Sequence, residues 1–191
     1  MAKIESSFRN MLLSLTLISL GASAALGYVY EFTKEPIALS NLNKKIEAIK
    51  LVVPEFNNNP NDDMYLLATG EGDSLEVYPA KKDSVVVGYA VKTYTNKGFS
   101  GYISLMAGFN PDGSILTITV LEQKETPGLG TKMADPSFKD QFSGKNPDTF
   151  ALKVKKDGGK VDAITAATIS SRAFCDAVRK AHNTLRKGGL I

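Results

Sequence analysis

The chain has 191 residues, 43% hydrophobic and 23% charged, with 16 glycines, 8 prolines, one cysteine and one histidine, a composition that excludes disordered and collagen-like chains. Twenty-three Lys and Arg against twenty Asp and Glu give a formal charge of +3. The charges are scattered, without a basic stripe or interleaved aromatics, so no nucleic-acid partner is expected. Cys175 alone cannot close an intrachain disulfide, and with only His182 beside it the common Cys/His metal constellations cannot be assembled.

Met11 to Tyr30 (MLLSLTLISLGASAALGYVY) carries no charge and at about 1.5 Å rise per residue is long enough to cross a hydrocarbon core of about 30 Å. Lys3 and Arg9 precede it, partly offset by Glu5, which places the N-terminus in the cytoplasm and the rest of the chain outside. Tyr28 and Tyr30 sit where an interfacial aromatic belt would be, and Gly21 with Ala25 gives small-residue spacing for close helix packing. The rival reading is a cleaved signal peptide with Ala22-Ser23-Ala24 at the cleavage site. An anchor is favoured because the apolar run continues through Ala25–Tyr30, which a signal peptide does not need.

Pro36 followed by Ile37, Leu39, Leu42, Ile46, Ile49 and Val53 predicts an amphipathic helix starting at Pro36 and stopped by Pro54. Asn57 to Asp63 reads as a surface loop without chemistry. Tyr65–Thr69, Ser74–Tyr78 and Val85–Thr95 are rich in β-branched and aromatic residues and predict antiparallel strands, with turns at Gly70-Glu71-Gly72 and Lys81-Lys82-Asp83. Gly101–Asn110 and Ile115–Glu122 flank Pro111-Asp112-Gly113, a hairpin signal. Asp135–Phe142 and Ser171–Lys187 read as helices, with a short strand at Phe150–Val154 between them. The expected class is α+β: an N-terminal transmembrane helix, then a single exported domain with a twisted antiparallel sheet and flanking helices. The boundaries are a tail at 1–10, the transmembrane helix at 11–30, a connecting helix at 31–56 and the domain at 57–191.

Two stretches stand out chemically. Asp162 to Ser171 (DAITAATISS) places hydroxyls at Thr165, Thr168, Ser170 and Ser171 before a helix whose apolar stripe is Phe174, Val178, Ala181 and Leu185. Read plainly, Ser170 or Ser171 is an N-cap. Read functionally, small residues admit a ligand to the backbone, and free N–H groups at a helix start favour an anion. In Glu125-Thr126-Pro127-Gly128-Leu129-Gly130, Pro127 and Gly128 suit a type II turn, and the Leu129 tip could lie against a flat ligand.

The run Asp162-x-x-Thr165-x-Ala167-Thr168 resembles the flavinylation motif of FMN-binding domains, usually Asp-x-x-Ser/Thr-Gly-Ala-Thr, and Glu125–Gly130 resembles the ETPGLG segment of the same family. With one N-terminal anchor and a short chain, the resemblance is to the G subunits of Rnf-type electron-transport complexes. The C subunits of sodium-pumping quinone reductases, typically longer, are the second choice. Ala166 stands where glycine is usual, and its methyl group narrows the permitted backbone angles. The resemblance implies covalent FMN on Thr168 through a phosphodiester. The surrounding cofactor contacts would be Thr165, Ala166, Ala167, Ile169, Ser170, Ser171, Glu125, Thr126, Gly128 and Leu129. It also implies electron relay within an ion-translocating ferredoxin:NAD oxidoreductase complex, with the other subunits and a flavin transferase as partners. The implied location is the inner membrane, crossed once, with the FMN-binding domain periplasmic. Glu125 is then a loop-orienting or ring-edge residue, and no catalytic acid or base is expected. An exported module binding its ligand noncovalently, or an anchored assembly protein without a cofactor, are the alternatives from other classes.

Overall fold

The computed structural model describes residues 7–70 and 72–191. Lys3, Glu5 and the turn residue Glu71 lie outside the described residues. The described residues fall into two compact units, one reaching Asn43 and one running from Lys44 to Ile191.

The first unit is most of helix α1 (Phe8–Val52), among the described residues the one helix long and apolar enough to cross a membrane. None of its most apolar window is buried inside the protein. Thr16 Oγ1 donates to Leu12 O at 2.9 Å and Thr33 Oγ1 to Val29 O at 2.8 Å, so these hydroxyls are satisfied within the helix itself. Against expectation, no new helix begins at Pro36; the helix runs through it. The fixed φ of proline is itself helical, and the helix formers around it (Glu31, Lys34, Glu35, Ala38, Leu39) offset the missing hydrogen bond.

The second unit begins with the last turns of α1 and holds one antiparallel sheet in sequential order. Its strands are β1 (Tyr65–Ala68), β2 (Ser74–Lys82), β3 (Val85–Gly98), β4 (Gly101–Phe109) and β5 (Ile115–Gln123). The expected α+β class is therefore what the chain adopts. β2 extends past Tyr78 through Pro79, because β1 pairs only as far as Val77 and the missing N–H of Pro79 faces an edge where no ladder needs it. The Asn-rich loop covers that edge: Asn58 Oδ1 accepts from Lys81 N at 2.8 Å, and Asn58 Nδ2 donates to Pro79 O at 3.0 Å. The turn to β3 is Asp83-Ser84 rather than Lys81-Lys82-Asp83, with φ of 51° and 68°, the two positive angles of a type I′ hairpin.

Side chains alternate across the sheet, so its two faces carry two cores. On one face Leu75, Val77, Val91, Leu105 and Phe109 meet Phe138, Phe142 and Phe174, whose ring centroids lie 5.0–5.6 Å apart. The cover is α2 (Pro136–Lys139), the 3-10 turn Asp140–Phe142 and α3 (Thr168–Lys187). The single helix expected over 135–142 is thus broken into two short pieces. On the other face the end of α1 packs Ala48, Ile49 and Val52 on Tyr78, Ala80, Ala90 and Met106. Gly108 lets the helix end touch β4, since a Cβ there would overlap the Val52 carbonyl. Lys45 and Lys92 both reach Glu76, at 2.8 and 2.9 Å, and Tyr78 OH donates to the same carboxylate. Burial opposes the charge of Glu76, but these three donors outweigh it and hold the carboxyl down at about 2.

Residues 150–154 form no strand. Only an isolated parallel bridge joins Val154 to Val161, and the Leu152 carbonyl accepts from Arg179 Nη1 at 3.1 Å. α3 begins at Thr168, three residues before the expected start.

Candidate functional site

The connection after β5 forms the first wall. Leu129 N donates to Thr126 O at 3.1 Å around Pro127 and Gly128, whose φ of 75° completes a type II turn. Gly128 N donates to Thr131 Oγ1 at 3.0 Å, so the turn is tied to the 3-10 segment Gly130–Ala134 that follows.

The second wall is the entry to α3. Ala167 N donates to Ile164 O at 2.9 Å, closing a tight turn in which Ala166 has φ of 61°. That is the left-handed region, which L-residues other than glycine enter at a cost. The first bond of α3 runs from Ser171 N to Ala167 O at 3.0 Å. The N–H groups of Thr168, Ile169 and Ser170 therefore precede the helical ladder and point out of the helix end. Neither serine is an N-cap; Ala167 holds that position, without a side-chain cap. Ser171 Oγ accepts from Ile164 N at 2.9 Å and donates to Ala167 O at 3.0 Å, fixing the turn from inside.

Glu125 joins the walls. It is 4% exposed; its Oε2 accepts from Ser170 Oγ at 2.5 Å and its Oε1 from Ser100 N at 2.9 Å. Gly130 makes room, because a Cβ there would lie 2.7 Å from both Glu125 and Ser170 Oγ. Between the walls lies a cleft of about 290 Å³ lined by Glu125, Thr126, Leu129, Gly130, residues 166–170 and Phe99. It gathers Ala166, Ala167, Thr168, Ile169 and Ser170 from one motif with Glu125, Thr126 and Leu129 from the other. Gly128, Thr165 and Ser171 do not line it. Asp162 points to solvent, pairing with Lys155 at 2.7 Å. No lysine or arginine lines the cleft, so an anion at Thr168 would be met by backbone N–H groups and the positive end of α3.

A family model described as an FMN-binding domain matches residues 98–183, a span that contains every cleft residue. The G subunit of the Na(+)-translocating ferredoxin:NAD(+) oxidoreductase complex of Acetobacterium woodii is 35% identical over 178 residues, covering 87% of this chain and 86% of that protein. The G subunit of the ion-translocating oxidoreductase complex of Salmonella typhi is 34% identical over 180 residues, with 88% and 86% covered. The chain belongs to this G-subunit family. The solved structure of the C subunit of a Na(+)-translocating NADH-quinone reductase from Parabacteroides distasonis shares the fold, with a TM-score of 0.50 at 21% identity over 70% of each chain.

For a member of the G-subunit family, the cleft fits FMN on its own features. It has apolar side chains for a ring, a hydroxyl at Thr168 and a helix start for a phosphate. Two cleft residues carry no site signal in the sequence alone. Gly130 reads there only as part of its loop, and its role is a close approach that only three dimensions show. Phe99 sits at the tip of the β3–β4 hairpin, and its sequence neighbours mark a turn but not a site. Elsewhere on α3, Cys175 is buried, and burial pushes its thiol up to about 12. Among the described residues no cluster of His, Cys, Asp and Glu could hold a metal ion.

Proposed function

We propose that this chain holds FMN covalently on Thr168 and passes electrons within a membrane-bound, ion-translocating oxidoreductase complex. The observation that carries the reading is the meeting of the two motifs in one cleft, with Thr168 at the start of α3 opposite the Glu125–Gly130 turn. FMN, when bound, supplies the one-electron and two-electron redox chemistry.

The protein's own residues supply place and environment. Thr168 Oγ1 would accept the flavin monophosphate unit from a flavin dinucleotide, the P–O bond to the nucleoside monophosphate breaking as the threonine ester forms and the hydroxyl proton leaving with it, in a step run by a flavin transferase as partner. The phosphodiester keeps one negative charge, which the N–H groups of the first turn of α3 hold. Leu129 and Ile169 offer apolar surface to the ring, and Glu125 orients both walls rather than moving a proton. The tether keeps the flavin from diffusing away outside the cytoplasm. Residues 11–30 of α1 cross the inner membrane, with the N-terminus cytoplasmic and the domain periplasmic, facing the other subunits of the complex.

Full-length protein co-expressed with a flavin transferase tests this. The expected result is flavin fluorescence that survives denaturing electrophoresis and an FMN adduct mapped to Thr168 by mass spectrometry, both lost in Thr168→Ala. A cap-free surface hydroxyl costs at most about 1 to 2 kcal/mol, so that variant stays folded. An undiminished adduct in Thr168→Ala overturns the assignment, and flavin that leaves on denaturation points to noncovalent binding.

A further inference from the structure

The hairpin between β3 and β4 turns on Phe99 and Ser100, with Gly98 opposite Gly101. This tip is tied to the cleft. Ser100 N donates to the buried Glu125 carboxylate at 2.9 Å, and a Cβ on Gly98 would lie 2.7 Å from Glu125 Oε1 and 2.8 Å from Ile103 Cδ1. Gly101, at φ of 97°, takes the angle that turns the chain back. Phe99 is 67% exposed, yet it lines the same cleft as Thr168 and Leu129. A large apolar ring on a tip tied to Glu125, exposed to water beside the cleft, offers a surface to a flat partner, and aromatic rings pair at centroid separations of about 4.5–7 Å.

We infer that Phe99 is a flavin-positioning residue, packing its ring against the isoalloxazine as a third wall of the cleft. The inference rests on FMN occupying this cleft. Three segments far apart in sequence then contact the cofactor: the hairpin tip, the Glu125–Gly130 turn and the start of α3. Glu125 bonds to the hairpin and to α3, so the position of Phe99 is set by the same carboxylate that fixes Ser170 beside the attachment threonine.

The chain contains no tryptophan, so Phe99→Trp places its sole indole, a strong quencher of excited flavin at contact range, where the ring is expected. Val85→Trp, at the opposite end of β3 and also exposed, is the control. Flavin fluorescence per attached FMN, with occupancy measured by mass spectrometry, should fall several-fold in full-length Phe99→Trp and stay unchanged in Val85→Trp. Phe99→Ala should keep its FMN adduct while its visible flavin bands shift. Equal fluorescence in the two tryptophan variants at equal occupancy, or unshifted bands in Phe99→Ala, overturns the contact while leaving the attachment at Thr168 standing. Absence of any FMN adduct from the unsubstituted chain overturns both.

Discussion

Glu125 and Ser170, 45 residues apart in sequence, meet through a hydrogen bond of 2.5 Å between a carboxylate and a hydroxyl that are both buried. With the second bond from Ser100 N, one side chain holds together the hairpin tip, the turn after β5 and the first turn of α3. Glu125→Ala strands one buried donor, Ser170 Oγ, at about 1–3 kcal/mol, and releases Ser100 N at an exposed position, so it should lower the thermal midpoint by a few degrees. Glu125→Gln keeps one acceptor oxygen and should lose less. Equal midpoints for Glu125→Ala and the unsubstituted chain would show that the clamp contributes nothing.

Ala166 holds a left-handed φ of 61° in the turn that presents Thr168. Ala166→Gly removes a strain of about 1–2 kcal/mol and adds unfolded-chain entropy of about 0.5–1 kcal/mol, so a small net gain in stability is expected from denaturant titration. Ala166→Val should be clearly destabilising, because a β-branched residue tolerates this region least. If Val is tolerated as well as Gly, the turn does not need that angle in solution.

Gly108 faces the end of α1, where a Cβ would overlap the Val52 carbonyl. Gly108→Ala should cost on the order of 1–3 kcal/mol through overpacking, read by chemical unfolding of the domain. A chain begun at residue 54 should aggregate, since Tyr78, Ala90 and Met106 lose their cover, whereas one begun between residues 36 and 44, without the apolar run 11–30, should remain soluble by size-exclusion chromatography.

His182 is buried beside Phe109, with ring centroids 6.0 Å apart. Burial lowers its pKa from 6.5; Arg186 pushes the same way, while Asp148 and Asn183 act in the opposite sense. The unfolded chain therefore binds a proton near pH 6.5 that the folded chain refuses, so stability is present above that pH and is lost as pH falls below it. The thermal midpoint should fall between pH 7 and pH 5, and His182→Gln should flatten that leg alone. A second fall, at lower pH, belongs to Glu76 and to Asp176, whose carboxyls lie below their usual range.

With its thiol pushed up to about 12 by burial, Cys175 should resist iodoacetamide at pH 8 in the folded protein and react at once in denaturant, because the thiolate is the nucleophile. Equal rates in both states would show that the α3 face opens readily.

The strands were legible where alternation met turn chemistry. Ile115–Gln123 follows Pro111-Asp112-Gly113, and there Asp112 Oδ1 accepts from Ser114 N at 2.8 Å, the local bond that such a turn needs. Phe150–Val154 alternates just as well but has no neighbouring strand to pair with, and alternation alone does not supply one. Pro36 misled in the other direction, because helix formers on both sides outweighed one proline. Of the cleft, the two motifs could be picked out by their glycines and hydroxyls. Phe99 could not, since a hairpin tip gains meaning only from what folds opposite it.

The sheet is a plain meander in which every strand pairs with the one before it, so it can grow in the order of synthesis. α3, which follows all five strands, both covers one sheet face and supplies the Thr168 wall of the cleft. A chain interrupted before α3 thus lacks part of its core and its cofactor seat at once. Under the attachment proposed at Thr168, loading with flavin would double as quality control, because only a polypeptide that has completed its fold can display that hydroxyl on a formed helix end.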